Sequence, residues 1–204
     1  MPDITTELES GTRALSIIYA LAATVDAKDH YTYGHSRKVS EYSVAMAEAL
    51  GLPEDKIATI RAASLLHDIG KVGIPDSILS KEGPLTDEEW EPVKAHPQLG
   101  VEILRHIIDL ANCLPAILHH HERYDGKGYP SGLKSDNIPI EGRILAIADA
   151  YDAMISPRSY REQLSSQEAL NELKRCAGTQ FDPELVDIFC EIIESIPSKR
   201  LEIK

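Results

Sequence analysis

Cysteine is scarce in this 204-residue chain: Cys113, Cys176 and Cys190 are odd in number and far apart. With no C-x-x-C pair, neither a zinc knuckle nor a disulfide framework is suggested, and a reducing, cytoplasmic setting is expected. Long apolar runs are missing too. No stretch approaches the ~18 uninterrupted apolar residues of a membrane span. No charged segment leads into an apolar one at the start, so no signal peptide is expected either. Positive charge is in the minority, since 21 Lys and Arg against 33 Asp and Glu give a formal net charge of −12. That argues against gripping a nucleic-acid polymer, which needs clustered Lys and Arg. A small phosphate ester stays within reach where metal ions supply positive charge locally. Internal repeats, low-complexity tracts and convincing alternating strands are also lacking.

What is present is helical periodicity. Hydrophobic residues at 43% and charged residues at 26% suit a globular core. The length suits one domain of ~100–200 residues, divided as a helical extension over 1–25, a main domain over 26–195 and a tail over 196–204. Leu15, Ile18, Leu21, Ala22 and Val25 form an apolar stripe over 13–26. Val39, Tyr42, Ser43, Met46 and Leu50 form a second, closed by Gly51. Pro53-Glu54-Asp55 starts a third helix, with Ile57, Ile60, Ala63 and Leu66 inward and an end near Gly70. Thr86-Asp87-Glu88-Glu89 reads as a capping box, and Pro92 and Pro97 are expected to break the helix it opens. Segments 115–121, 140–155, 166–176 and 183–195 complete an all-α class. Residues 122–139 are too rich in Gly and Pro for a helix and long for a connection, which points to function.

The histidines and acids fall in telling places. His67-Asp68 and His120-His121, followed by Glu122, end apolar helices; His35 and His96 stand alone; Asp149 lies inside Ile144-Leu145-Ala146-Ile147-Ala148 and Ala150. Each alone has a plain structural reading, as a satisfied core histidine, a cap or a helix-end surface residue. Together they place many ionisable groups in the most apolar segments, where such groups are rarely buried unless paired or ligating metal. Neighbours on a helix point ~100° apart. His67 and Asp68 therefore suit two neighbouring ions with the carboxylate bridging, and His120 and His121 are expected to divide between two ions likewise. Imidazole with carboxylate suits Fe, Mn, Zn, Ni or Co rather than Mg or Ca. Two ions ~3.5–4 Å apart suit phosphoester hydrolysis, generating hydroxide from a bridging water.

These residues resemble a known family. His67-Asp68-Ile69-Gly70-Lys71 is similar to the H-D-x-G-K motif of HD-GYP domains, and the run from His120 to Pro130 resembles their H-H-E-x-x-D-G-x-G-Y-P signature. Gly34-His35-Ser36, Leu85-Thr86 with Glu89, His96-Pro97, Asp149-x-x-Asp152-Ala153-Met154 leading to Arg158, and Gln180-Phe181-Asp182-Pro183 also match, so the likeness runs from about Asp26 to Phe189. The resemblance implies an HD-fold helical bundle with metal ligands at His35, His67, Asp68, His96, His120, His121 and Asp149. Asp68 would bridge the ions, and Lys71 would stabilise or protonate the scissile phosphate. Tyr129 would line the substrate pocket, and Arg158 and Arg161 would grip substrate. The implied substrate is cyclic di-GMP, opened to linear pGpG and in some members cut on to GMP.

Tyr31 stands where some members carry a Glu that helps hold a third ion, so two metals are expected, iron or manganese by preference, with an inefficient second cleavage. Glu122, Asp125 and Asp152 are expected as orienting or loop-shaping residues, and His30, His106 and His119 as ordinary polar ones. Other readings stay open: a hydrolase of other nucleotides, a catalytically weak module binding the nucleotide or a partner such as a diguanylate cyclase, or a di-iron oxygenase. The 13–26 stripe is expected to pair with a second chain or to serve the core.

Overall fold

A computed structural model describes residues 4–28, 34–157 and 163–195, with 4–15 as helical backbone only. The fold is an all-α bundle. Its first helix, α1 (Ile4–Lys28), is longer than the 13–26 stripe required. Helix α2 (His35–Ala49) ends as its sequence asks: Gly51 takes φ 65°, its N–H bonds to Glu48 O at 3.0 Å, and Leu52 N bonds to Ala47 O at 3.0 Å. Helix α3 (Glu54–Leu66) follows Pro53.

Two expectations are corrected. Helix α3 stops at Leu66 rather than near Gly70, and Ile69–Gly73 forms a tighter 3-10 turn instead. Gly70 is pressed against the neighbouring helix so closely that a Cβ there would lie 1.9 Å from His96 O. After the short α4 (Asp76–Leu79), helix α5 (Asp87–Leu104) is one continuous rod despite containing Pro92 and Pro97. The capping box at Thr86 and Glu89 starts it, and His96, Pro97, Gly100 and Leu104 are buried along it. Packing of that face outweighs the penalty of interior proline, ~3 kcal/mol each.

A 3-10 segment (Ile108–Cys113) leads into α6 (Leu114–His119), and the irregular 122–139 loop then leads to α7 (Ile140–Ile155). Helices α8 (Ser166–Cys176) and α9 (Pro183–Ser195) close the bundle. One core cluster joins α2, α3, α7, α8 and α9 through Met46, Ile60, Ile147, Leu173 and Phe189. Within it the rings of Tyr42, Tyr151 and Phe189 meet edge to face with centroids 5.0–5.9 Å apart. A second cluster joins α1 to α3 and α6 through Ile18, Val25, Leu66 and Ile117. Both clusters draw on α3, and the elements that carry the histidines and Asp149 come from both.

The last turn of α1 is also held by polar contacts. The Asp26 carboxylate accepts from Gly34 N at 3.1 Å and Ser36 Oγ at 2.7 Å, and Lys28 Nζ donates to Val72 O at 2.9 Å.

Candidate metal centre

The ligand side chains are delivered by helix ends and one helix interior. His35 is the first residue of α2. His67 and Asp68 follow the last residue of α3, and His120 and His121 follow the last residue of α6. His96 stands inside α5 and Asp149 inside α7. All seven converge. His35, His67 and Asp149 present ligand atoms within 4.8 Å of one another, as do His96, His120 and His121. Asp68 lies between these two groups, with Oδ2 3.4 Å from His67 Nε2 and Oδ1 3.4 Å from His96 Nε2. His67, Asp68 and His120 form a third such group.

His120 and His121 both lie in the triad with His96, their ring centroids 3.9 Å apart and tilted by 43°, and His120 also comes within reach of His67 and Asp68.

Ring orientation is set from behind. His67 Nδ1 donates to Ser64 O at 2.8 Å, His96 Nδ1 to Val93 O at 2.6 Å and His120 Nδ1 to Ile117 O at 2.7 Å. A carbonyl only accepts, so each Nδ1 carries a proton and each Nε2 is left as a lone-pair donor facing the centre. His67 Nε2 is buried with no hydrogen-bond partner, a vacancy in polar contacts that a cation would satisfy. His35 differs, since its Nδ1 donates to Asp152 Oδ2 at 2.7 Å while its Nε2 lies 3.2 Å from Asp149 Oδ1.

Protonation follows from these surroundings. Burial, reinforced by the positive fields of neighbouring histidines, pushes His120 well down and His121 down to about 3, and burial lowers His96 against the pull of Asp68. These three are neutral near pH 7 and ready to ligate. Burial would also lower His35, but the Asp149 and Asp152 carboxylates outweigh it and raise the group to about 10. Burial works against ionised Asp68 and Asp149 as well. His67 and Lys71 override it for Asp68, and the His35 contact does so for Asp149, so both are held well below the usual carboxylate range. A set of imidazoles with two carboxylates fits borderline transition metals.

Lys71 Nζ lies 2.7 Å from Asp68 Oδ2, on the first turn beyond the dyad. Beside the histidines opens a cleft of about 350 Å³ lined by His121, Arg123, Lys127, Tyr129, Asp149 and Gln180, among others. Tyr129 packs its ring on His121, with centroids 4.9 Å apart and planes 31° apart. The loop bearing Tyr129 is pinned by the buried Glu122 carboxylate, which accepts from Ser131 N at 2.7 Å and Leu133 N at 3.1 Å. Asp125 pairs with Arg123 through two contacts of 3.1 and 2.9 Å. His119 sits on this support, its Nδ1 3.6 Å from Glu122 Oε1.

Arg158, Arg161, Tyr31 and His30 lie outside the described residues. Asp152, ambiguous in the sequence, is fully buried as the partner of His35. Its spacing from Asp149, three residues along one helix face, is the signal that associates the two. Gln180, part of the Gln180-Phe181-Asp182-Pro183 run that matched the family but given no role in the sequence, lines the cleft and accepts from Arg123 Nη1 at 3.3 Å.

Residues 20–185 match the family model of the HD domain. Among curated relatives, a 3′3′-cGAMP-specific phosphodiesterase of Vibrio cholerae is 42% identical over 179 residues, 86% of this chain and 34% of the relative. A cyclic di-GMP phosphodiesterase of Thermotoga maritima is 42% identical over 173 residues, 83% of this chain and 46% of the relative. The chain thus spans between about a third and a half of the length of these relatives. In fold it resembles a solved cyclic GMP-AMP-specific phosphodiesterase of V. cholerae, with TM-score 0.69 at 19% identity over 88% of this chain and 48% of that one. The chain belongs to the HD domain family, with the HD-GYP motifs in place.

Proposed function

We propose that this domain is a metal-dependent phosphodiesterase that opens cyclic di-GMP to linear pGpG. The observation that carries the reading is Asp68, set between two triads of candidate ligand atoms with the Lys71 ammonium 2.7 Å away and a cleft of about 350 Å³ alongside. His35, His67 and Asp149 would hold one ion and His96, His120 and His121 a second, with Asp68 placed between the two groups. Iron or manganese suits this donor set. When bound, the ions supply positive charge to the phosphate oxygens and lower the pKa of water.

The chain's own groups do the rest. Asp68 fixes Lys71, and Lys71 faces the phosphate. Water oxygen bonds to phosphorus as the P–O3′ bond breaks; the departing 3′ oxygen takes a proton from Lys71, the water gives its proton up to solvent, and Lys71 regains one from solvent. Tyr129 offers an aromatic face to a guanine base. Arg158 and Arg161 supply the fixed cations that a dianionic ligand needs in a chain of net charge −12. Tyr31 in place of a third-metal Glu supports two ions and a reaction that stops at pGpG.

A second substrate, 3′3′-cGAMP, is favoured by the V. cholerae relative named for it. The unit doing this work is residues 26–195, with 1–25 as a helical extension and 196–204 as a tail. Exposed Ile17 and Tyr19 on α1 support a homodimer through that helix. No helix among the described residues is long and apolar enough to cross a membrane.

The test is anaerobic purification, metal quantification, and chromatography of cyclic di-GMP and 3′3′-cGAMP in parallel with Fe(II) or Mn(II). Two ions per chain and pGpG from cyclic di-GMP, both lost in H67A/D68A, are expected. Metal uptake with neither nucleotide consumed overturns the assignment.

A further inference from the structure

We infer that Pro97 is a positioning residue for His96: by lacking an N–H, it leaves the Val93 carbonyl for the His96 imidazole. The inference rests on reading His96 as a metal ligand. It comes from a device repeated three times. His67, His96 and His120 each donate Nδ1–H to the carbonyl three residues earlier, at 2.8, 2.6 and 2.7 Å. For His67 and His120 the accepting carbonyls, Ser64 and Ile117, lie in the last turns of α3 and α6. Carbonyls in a last turn have no N–H four residues on to bond them.

His96 has no helix end to use. It sits in the interior of α5, which continues to Leu104. There Val93 O would ordinarily accept from the backbone N–H of residue 97. Residue 97 is proline and has none. Pro97 therefore reproduces, within an unbroken helix, the free carbonyl that the other two histidines find at helix ends. With Nδ1 occupied, Nε2 is the atom turned to the centre, 3.4 Å from Asp68 Oδ1 and 3.4 Å from His120 Nε2. Pro92, in the same helix, removes the N–H that would bond Glu88 O, and no ligand histidine stands beside that carbonyl.

The experiment compares the P97A and P92A variants with wild type, metal-free and titrated with Mn(II) alone. Removing an interior proline stabilises a helix, so both metal-free variants should melt higher, by roughly 5 °C or more. Only P97A should bind the metal of the His96 triad more weakly, by ~10–100-fold, the usual effect of losing a histidine's orienting partner. Equal Mn(II) affinity in P97A and wild type overturns the inference. A purely structural proline would shift melting and leave affinity alone, as P92A is expected to do.

Long-range ¹H–¹⁵N spectra of the metal-free wild type provide a second readout that requires no variant to fold. His96 should carry its proton on Nδ1 in wild type and populate both tautomers in P97A. A wild-type His96 protonated on Nε2 overturns the inference. If wild type takes up no metal, the reading of the centre fails, and the His96 tautomer still decides the positioning.

Discussion

Replacing Glu122 with Gln should loosen the 122–139 loop and leave the metal centre standing. The Glu122 side chain is fully buried, and its two carboxylate oxygens accept from Ser131 N and Leu133 N at 2.7 and 3.1 Å. Hydrogen bonds to a charged acceptor contribute ~1.5–3 kcal/mol each. Gln keeps one carbonyl oxygen but turns an NH₂ group toward the other backbone N–H. One charged bond is lost, the other is weakened, and two donors face each other, for a net cost of about 2–4 kcal/mol. A chain of this size loses ~2–4 °C of Tm per kcal/mol, so E122Q should melt roughly 5–15 °C lower.

Trypsin should cut faster after Lys127 and Lys134, both on the loop. Metal stoichiometry should hold, and KM should rise more than kcat falls, because Tyr129 rides on this loop and not on the ligand helices. An unchanged Tm with unchanged cleavage would refute the reasoning, since the loop would then be held by its other ties, such as Asp125 N to Thr179 O at 2.8 Å.

Three further substitutions test other parts of the structure. G70A places a Cβ 1.9 Å from His96 O and 2.7 Å from Gly100 N, both backbone atoms, so the Ile69–Gly73 turn must retreat from α5. Overpacking of this kind costs ~1–3 kcal/mol or more; a lower Tm and weakened metal binding are expected, and wild-type melting would show that the two elements yield freely. D152N removes the anion that accepts from His35 Nδ1 and should weaken metal binding by ~10–100-fold. Calorimetric titration with Mn(II) decides, and unchanged affinity would mean that His35 is oriented by Asp149 alone.

Asp125 is held down at about 2 by the Arg123 guanidinium, below its unfolded value of ~3.9. A depressed carboxylate stabilises above its unfolded pKa and loses that contribution as pH falls through the folded one. The Tm difference between wild type and D125N should be constant above about pH 5 and shrink between about pH 4 and 2. It should also shrink with salt, because the pair is only half-buried; a difference that grows on acidification would contradict the pairing.

The sequence marked His67, Asp68, His120, His121 and Asp149 as candidates because each is a conspicuous violation, an ionisable side chain in an apolar run or at an apolar helix end, whereas His35 and His96 stand alone and were marked by the family resemblance. The helices with sharp boundary chemistry were equally readable, as Gly51 after α2 and the Thr86–Glu89 box before α5 show. What stayed hidden depends on tertiary contact. Nothing local reveals that α5 survives two prolines, because the compensation comes from a face buried against the Ile69–Gly73 turn and α6. The early end of α3 is hidden for the same reason: Gly70 leaves the helix to meet His96 O, twenty-six residues along the chain. The placement of His120 within reach of both His96 and His67 likewise depends on elements far apart in the sequence.

The centre owes its shape to backbone more than to side-chain contacts. Two ligand-bearing turns sit at the C-terminal ends of α3 and α6, where unpaired carbonyls carry the negative end of the helix dipole and favour a nearby cation. Those same carbonyls take the Nδ1 protons and leave the Nε2 lone pairs aimed inward. One structural feature would thus supply both the field that attracts a cation and the ring orientation needed to ligate it. His35 is arranged differently, at the start of α2, where the dipole disfavours positive charge. Two carboxylates, Asp149 and Asp152, stand beside it instead. The Asp26 carboxylate on α1 anchors the same helix start through Gly34 N and Ser36 Oγ. Where the backbone works against a cation, the chain sets two acids beside the histidine; where the backbone favours one, four histidines stand with the single carboxylate of Asp68.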